Sequence, residues 1–144
     1  MIQRIQSIYL LLAVIVSFAS LFYCKIGITE SEIMIQVIDT IKIDRLFIKS
    51  IGISFVISSL LSLVTIFYYK KRQHQFVLGR MNILINFYIL GVLLIESLNL
   101  PGETTVSEKG IGVFIPIVII VLLAMANKSI KKDEELVKSV DRLR

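Results

Sequence analysis

Residues 68–75 read Tyr-Tyr-Lys-Lys-Arg-Gln-His-Gln and hold the only histidine of the chain, His74; the only cysteine is Cys24. A zinc or iron centre draws on several His, Cys or clustered carboxylate ligands, and this sequence does not group them. One cysteine closes no intrachain disulfide. The sequence holds no Gly-rich phosphate loop, Ser-His-Asp set or Cys-x-x-Cys pair. These absences set aside the enzyme classes built on such sites, and no cofactor is expected.

The remaining polar residues sit inside apolar runs. Ser50, Ser54, Ser58 and Ser62 recur every fourth residue, with Ser59 beside them. Residues at i and i+4 lie on one side of a helix, and small side chains there let a second helix approach closely in lipid. The stripe reads as a helix-packing seam, because serine hydroxyls can bond to the carbonyls of the preceding turn. A hydroxyl-lined polar path is the competing reading. Ala13, Ser17, Ser20 and Cys24 form a matching stripe, and the two are expected in one bundle interior. Asn82 and Asn86 are also one turn apart. An amide in hydrocarbon seeks an interhelical partner, so core hydrogen bonding is favoured over a substrate site. Glu96 is the only acid near a span; it lies about 22 Å along the helix from Met81. That puts it at the outer interface, where it is hydrated, and not at the bilayer centre, where it would suggest proton coupling.

Four elements must carry these residues. The chain has 144 residues, 56% of them hydrophobic, and a mean hydropathy of +0.82. Residues 5–24, 50–69, 81–95 and 110–127 contain no charge. About 20 helical residues cross a ~30 Å hydrocarbon core. The spacing predicts four membrane-spanning helices at about 5–24, 50–69, 79–98 and 110–127. The fold class is therefore an all-α integral membrane four-helix bundle. Arg4, the cluster Lys70, Lys71, Arg72 and Arg80, and six basic residues from Lys128 onward fall on one side of that threading. The other two loops are balanced or acidic. Lys and Arg concentrate on the cytoplasmic side of short loops, so both termini and the middle loop are expected in the cytoplasm. Met1-Ile-Gln-Arg followed by Ser17-Phe18-Ala19 has features of a cleavable signal peptide. The apolar run continues to Cys24, however, which suits an uncleaved span.

Outside the spans two segments carry pattern. In residues 25–49, Ile33, Ile35 and Val37 alternate with Met34, Gln36 and Ile38, and Ile41 and Ile43 alternate with Lys42 and Asp44. This period of two predicts a β-hairpin turning at Asp39-Thr40, with a third short strand at Thr104-Thr105-Val106. After Pro116 no Gly or Pro occurs, so the last helix is expected to run on into a tail at 128–144. There Ile130, Leu136, Val137, Val140 and Leu143 gather on one side, and Glu134 precedes Lys138 by four residues.

Met1-Ile-Gln-Arg-Ile-Gln-Ser-Ile-Tyr-Leu-Leu-Leu-Ala13, the inner Tyr69-Lys-Lys-Arg with Gln75 and Arg80-Met-Asn82, and the closing run from Ile130 to Arg144 resemble a family of small four-span proteins from Bacteroidetes-type bacteria. That family is catalogued only as a domain of unknown function. The resemblance implies an intact first span and an inner-membrane location, and it carries over no activity. The function expected is that of a non-enzymatic structural or interaction protein, such as an accessory subunit of a membrane assembly or a homo-oligomer. The alternative is a small transporter or channel subunit using the polar residues of spans two and three. Contact with anionic lipid or an acidic partner is expected at Lys70, Lys71, Arg72, Arg80, Lys131, Lys132, Arg142 and Arg144. The basic residues are juxtamembrane and no reading element accompanies them, so nucleic acid is not an expected partner.

Overall fold

A computed structural model describes residues 3–27, 34–99 and 106–142. Four helices are long and apolar enough to cross a membrane. They are α1 (Gln3–Tyr23), α2 (Leu46–Phe67), α3 (Arg72–Asn99) and α4 (Val106–Arg142). Each packs on its neighbour in sequence, and α4 closes on α1 to complete a four-helix ring. Apolar side chains form the core, with Leu10, Phe55, Ile89 and Leu123 among them, and also cover the outside of the bundle. Ile8, Leu12, Ile15 and Phe18 of α1 point outward, while Ser17 and Ser20 are buried. Lipid is as apolar as leucine, so small and polar side chains gain most by facing other helices.

The two small-residue stripes both reach the interior, but not along their full length. On α1, Ala13, Ser17, Ser20 and Cys24 are all buried. On α2, Ser58 and Ser62 are fully buried, whereas Ser50 and Ser54 are only partly so. A strict four-residue repeat precesses by roughly 40° per step on a helix of 100° per residue. Over three steps the stripe rotates off the core, and Ile51 and Phe55 take its place. Ser50 instead bonds Tyr88 of α3 at 2.8 Å on the bundle's shoulder.

The connection between α2 and α3 is shorter than the span boundaries predict. A 3₁₀ turn at Tyr68–Lys70 follows α2 directly, and α3 starts at Arg72 and not near residue 79. The Lys71 amide donates to the Tyr68 carbonyl at 2.9 Å, and the Lys71 carbonyl accepts the first α3 bond, from the Gln75 amide, at 3.1 Å. Arg72 and Arg80 are therefore helical positions, not loop ones. α4 spans 37 residues, about 55 Å at 1.5 Å per residue. Pro116 lies inside it and is buried; it removes one backbone bond without ending the helix.

At the opposite end, a small cap joins α1 to α2. β1 (Lys25–Gly27) pairs antiparallel with β2 (Met34–Gln36), Ile26 opposite Ile35. This two-stranded sheet differs from the expected pairing. The second half of the alternating run, Val37–Lys42, is a 3₁₀ helix, not the return strand. Burial explains the change: Val37 and Thr40, three residues apart, are both fully buried, which a 3₁₀ turn permits on one side. The Thr40 hydroxyl donates to the Val37 carbonyl, and Gly52 of α2 lets this turn approach; a Cβ at Gly52 would lie 2.5 Å from Thr40 Oγ1. Of the predicted third strand, Thr104 and Thr105 lie outside the described residues, and Val106 begins α4.

Candidate functional site

Among the described residues, two groups of polar side chains are built into the bundle, one within the spans and one at the end where α1 begins. In the first, Asn82 and Asn86 of α3 face Ser58 and Ser62 of α2, and all four are fully buried. The Asn82 amide donates to Ser62 Oγ at 2.6 Å and to the Ser58 carbonyl at 3.0 Å. The Asn86 amide donates to Ser58 Oγ at 2.8 Å and to the Asn82 carbonyl at 2.9 Å. Ser17, Ser20 and Thr65 satisfy their hydroxyls on carbonyls of their own helices, at 2.7, 2.7 and 2.6 Å. These polar groups are therefore used up on one another and on the backbone. Such an arrangement fixes helix register in an apolar medium. One acceptor, Asn86 Oδ1, has no partner. Glu96 is half-buried in the last turn of α3.

Of the second group, the sequence pattern points only to Arg72, and to a lipid or partner contact at that position. Gln6 of α1 reaches across to α4, where its amide donates to the Asp133 carboxylate and to the Ser129 carbonyl at 3.2 Å. Arg72 of α3 donates through Nη1 to the Asp133 backbone carbonyl at 2.9 Å. Three helices thus meet on one turn of α4. Gln6 is 6% exposed and Asp133 5%. The second carboxylate oxygen, Oδ1, has no hydrogen-bond partner. About two turns into the bundle, Gly79 of α3 lies directly against Asn127 of α4; a Cβ at Gly79 would overlap the Asn127 carboxamide. Helical spacing held a signal for this cluster. The α1 stripe of Ala13, Ser17, Ser20 and Cys24 extends back through the buried Leu10 to Gln6. On α4 the buried positions Ile119, Leu123, Ala126 and Ile130 run on to Asp133.

The basic residues expected to act together have separate surroundings. Arg72 is turned inward onto α4. Arg80 covers the ring of Phe76, 4.2 Å from its centroid. Lys131 and Lys132 are exposed on α4, with Lys131 3.9 Å from Glu135. Glu134 takes Lys138 at 2.7 Å. The side chains of Lys70 and Arg142, and all of Arg144, lie outside the described residues. Lys71 is exposed and borders a cleft of about 340 Å³ between the end of α2 and the start of α3. Among the described residues no group of His, Cys, Asp and Glu could hold a metal ion. On the tail Ile130 is fully buried, while Leu136 and Val137 stand exposed.

The whole of this architecture, from the opening of α1 to the end of α4, falls within one family model: the match covers residues 2–143 and is described as a domain of unknown function, DUF4293. The chain belongs to the DUF4293 family. No curated protein matches it. No solved structure does either. The family description assigns no activity to its members, so the functional reading rests on the geometry above.

Proposed function

We propose that this DUF4293 protein is a non-enzymatic component of the bacterial inner membrane, an accessory or structural subunit that holds a partner or a second copy of itself. Both termini and the Tyr68–Lys71 turn face the cytoplasm, as the distribution of Lys and Arg supports. The observation that carries this reading is the state of the four polar residues within the spans. Ser58, Ser62, Asn82 and Asn86 are fully buried and bonded across the α2–α3 seam. A transporter needs such groups to face a space that a solute can enter; here they face each other. The surface that remains for interaction is the end of the bundle formed by the α2–α3 turn and the last turns of α4, with Lys71, Lys131 and Lys132 exposed and the apolar pair Leu136 and Val137 on the projecting tail.

Reconstitution and crosslinking test this together. In sealed vesicles the purified chain leaves ion and small-solute permeability at the protein-free rate. In native membranes, photocrosslinkers at Leu136 and Val137 give discrete adducts to a second protein or a second copy. Flux above protein-free vesicles would establish the transporter alternative instead, and tails that crosslink to nothing would remove the interaction role.

A further inference from the structure

The cleft between α2 and α3 is lined by both apolar and polar side chains. Its lining divides by depth. Val64 of α2 and Val77 and Leu78 of α3 supply an apolar wall, and Tyr68, Lys71 and His74 supply a polar rim. Val64 belongs to the candidate span Leu46–Phe67 and His74, Val77 and Leu78 to the first two turns of the next, Arg72–Leu98, while Tyr68 and Lys71 lie between the two. The cleft therefore straddles the boundary at which a lipid changes from acyl chain to headgroup.

The rim is built to receive negative charge. Lys71 is exposed, and among the described residues no carboxylate pairs with it. The His74 ring stands edge-on to the Tyr68 ring, with centroids 6.3 Å apart, and both residues line the cleft. No acidic residue lines the cleft. The first backbone amides of α3, from Arg72 onward, lack helical acceptors at this same end. A helix start of this kind adds favourable potential for a phosphate. Neighbouring bases are engaged elsewhere: Arg72 holds the Asp133 carbonyl and Arg80 lies over Phe76. Among the described side chains of the basic turn, Lys71 is the cation left to meet a ligand.

We infer that this cleft binds one anionic phospholipid, with its phosphodiester on Lys71, His74 and Tyr68 and an acyl chain along Val64 and Val77. The placement in the inner leaflet rests on the cytoplasmic orientation proposed above; the site itself does not.

Native mass spectrometry of the full chain in a neutral detergent tests it, with phosphatidylglycerol or phosphatidylcholine added at equal concentration. Wild type retains one phosphatidylglycerol in preference to phosphatidylcholine. Lys71→Gln weakens that retention by about fivefold, the effect of one basic group at a lipid surface, and adding His74→Gln weakens it further. Lys131→Gln, a charge of the same face outside the cleft, leaves it unchanged. Val77→Trp fills the apolar wall and abolishes retention while the chain keeps its thermal midpoint. Equal retention of the two lipids would overturn the proposal. So would an equal loss in Lys131→Gln, or displacement of the bound species by millimolar glycerol 3-phosphate, which marks a soluble-phosphate site. Binding in detergent is independent of leaflet. Failed retention therefore removes the site and leaves the orientation standing, and a reversed orientation moves the site to the outer leaflet without removing it.

Discussion

The Gln6 side-chain amide of α1 bonds the Asp133 carboxylate of α4, joining residues 127 positions apart at the first and last parts of the bundle. Arg72 of α3 binds the carbonyl of the same aspartate at 2.9 Å. The start of the projecting tail is thus anchored by two other helices, and not only by continuity with α4. A buried polar pair that loses one member leaves the other unsatisfied, at a cost of about 1–3 kcal/mol.

Asp133→Ala therefore loosens the tail. Trypsin cleavage at Lys131 and Lys132 in detergent micelles accelerates, because local opening becomes more frequent. Gln6→Ala has a similar effect, and the double variant adds little beyond either single change. Unchanged cleavage in all three would show that the tail is held by α4 alone.

Gly79 and Asn127 give a second test with a built-in rescue. A methyl group at Gly79 overlaps the Asn127 carboxamide, whose Oδ1 has no partner to lose. Gly79→Ala is expected to cost about 1–3 kcal/mol, as overpacking does, and to lower the thermal midpoint in detergent. Asn127→Ala alone is close to neutral, and Gly79→Ala with Asn127→Ala recovers most of the loss. Additive losses in the pair would contradict the close approach.

The amide–hydroxyl seam predicts coupling between α2 and α3. Asn82→Ala removes bonds to Ser62 Oγ and the Ser58 carbonyl and is expected to destabilise the bundle by about 1–2 kcal/mol. Ser62→Ala costs less on its own and nothing more once Asn82 is gone. A cycle of detergent thermal midpoints reads this directly, and independent effects would rule out the bond.

Orientation is read by thiol labelling of intact cells. Asp44 and Ser139 are exposed at opposite ends of the bundle. With the buried Cys24 changed to serine, Asp44→Cys reacts with an impermeant reagent added outside, and Ser139→Cys reacts only after lysis. The reverse pattern would place the basic turn outside.

α1 and α2 were legible as uncharged runs of spanning length, whereas the run at 81–95 reaches it only when charged residues at its ends are included, which is why the start of α3 at Arg72 was read too late. The interior was legible where the helical period is kept: Ala13, Ser17, Ser20 and Cys24 follow a mixed spacing of three and four and stay on the core. Ser50 and Ser54 were placed there by a strict spacing of four, which drifts around the helix, and they are only partly buried. The return strand expected at Ile41 and Ile43 is a 3₁₀ helix because Thr40 packs on Gly52, a contact between segments that local alternation does not register. Asp133 was hardest to read. In sequence it sits in a charged tail beside Lys131, Lys132, Glu134 and Glu135, and only its phase relative to Ile130 and Ala126 marks it as an inward position.

Whether the polar residues within the spans meet each other or a solute separates a structural subunit from a transporter. Cysteine at Ser58 or Ser62, in a chain otherwise free of cysteine, probed in native membranes with a small membrane-impermeant methanethiosulfonate from each side in turn, measures this most directly. Both positions are predicted to stay unmodified from both sides, while Ser139→Cys reacts fully. Rapid modification of either position would show a water-filled path through the α2–α3 seam and would contradict the structural reading.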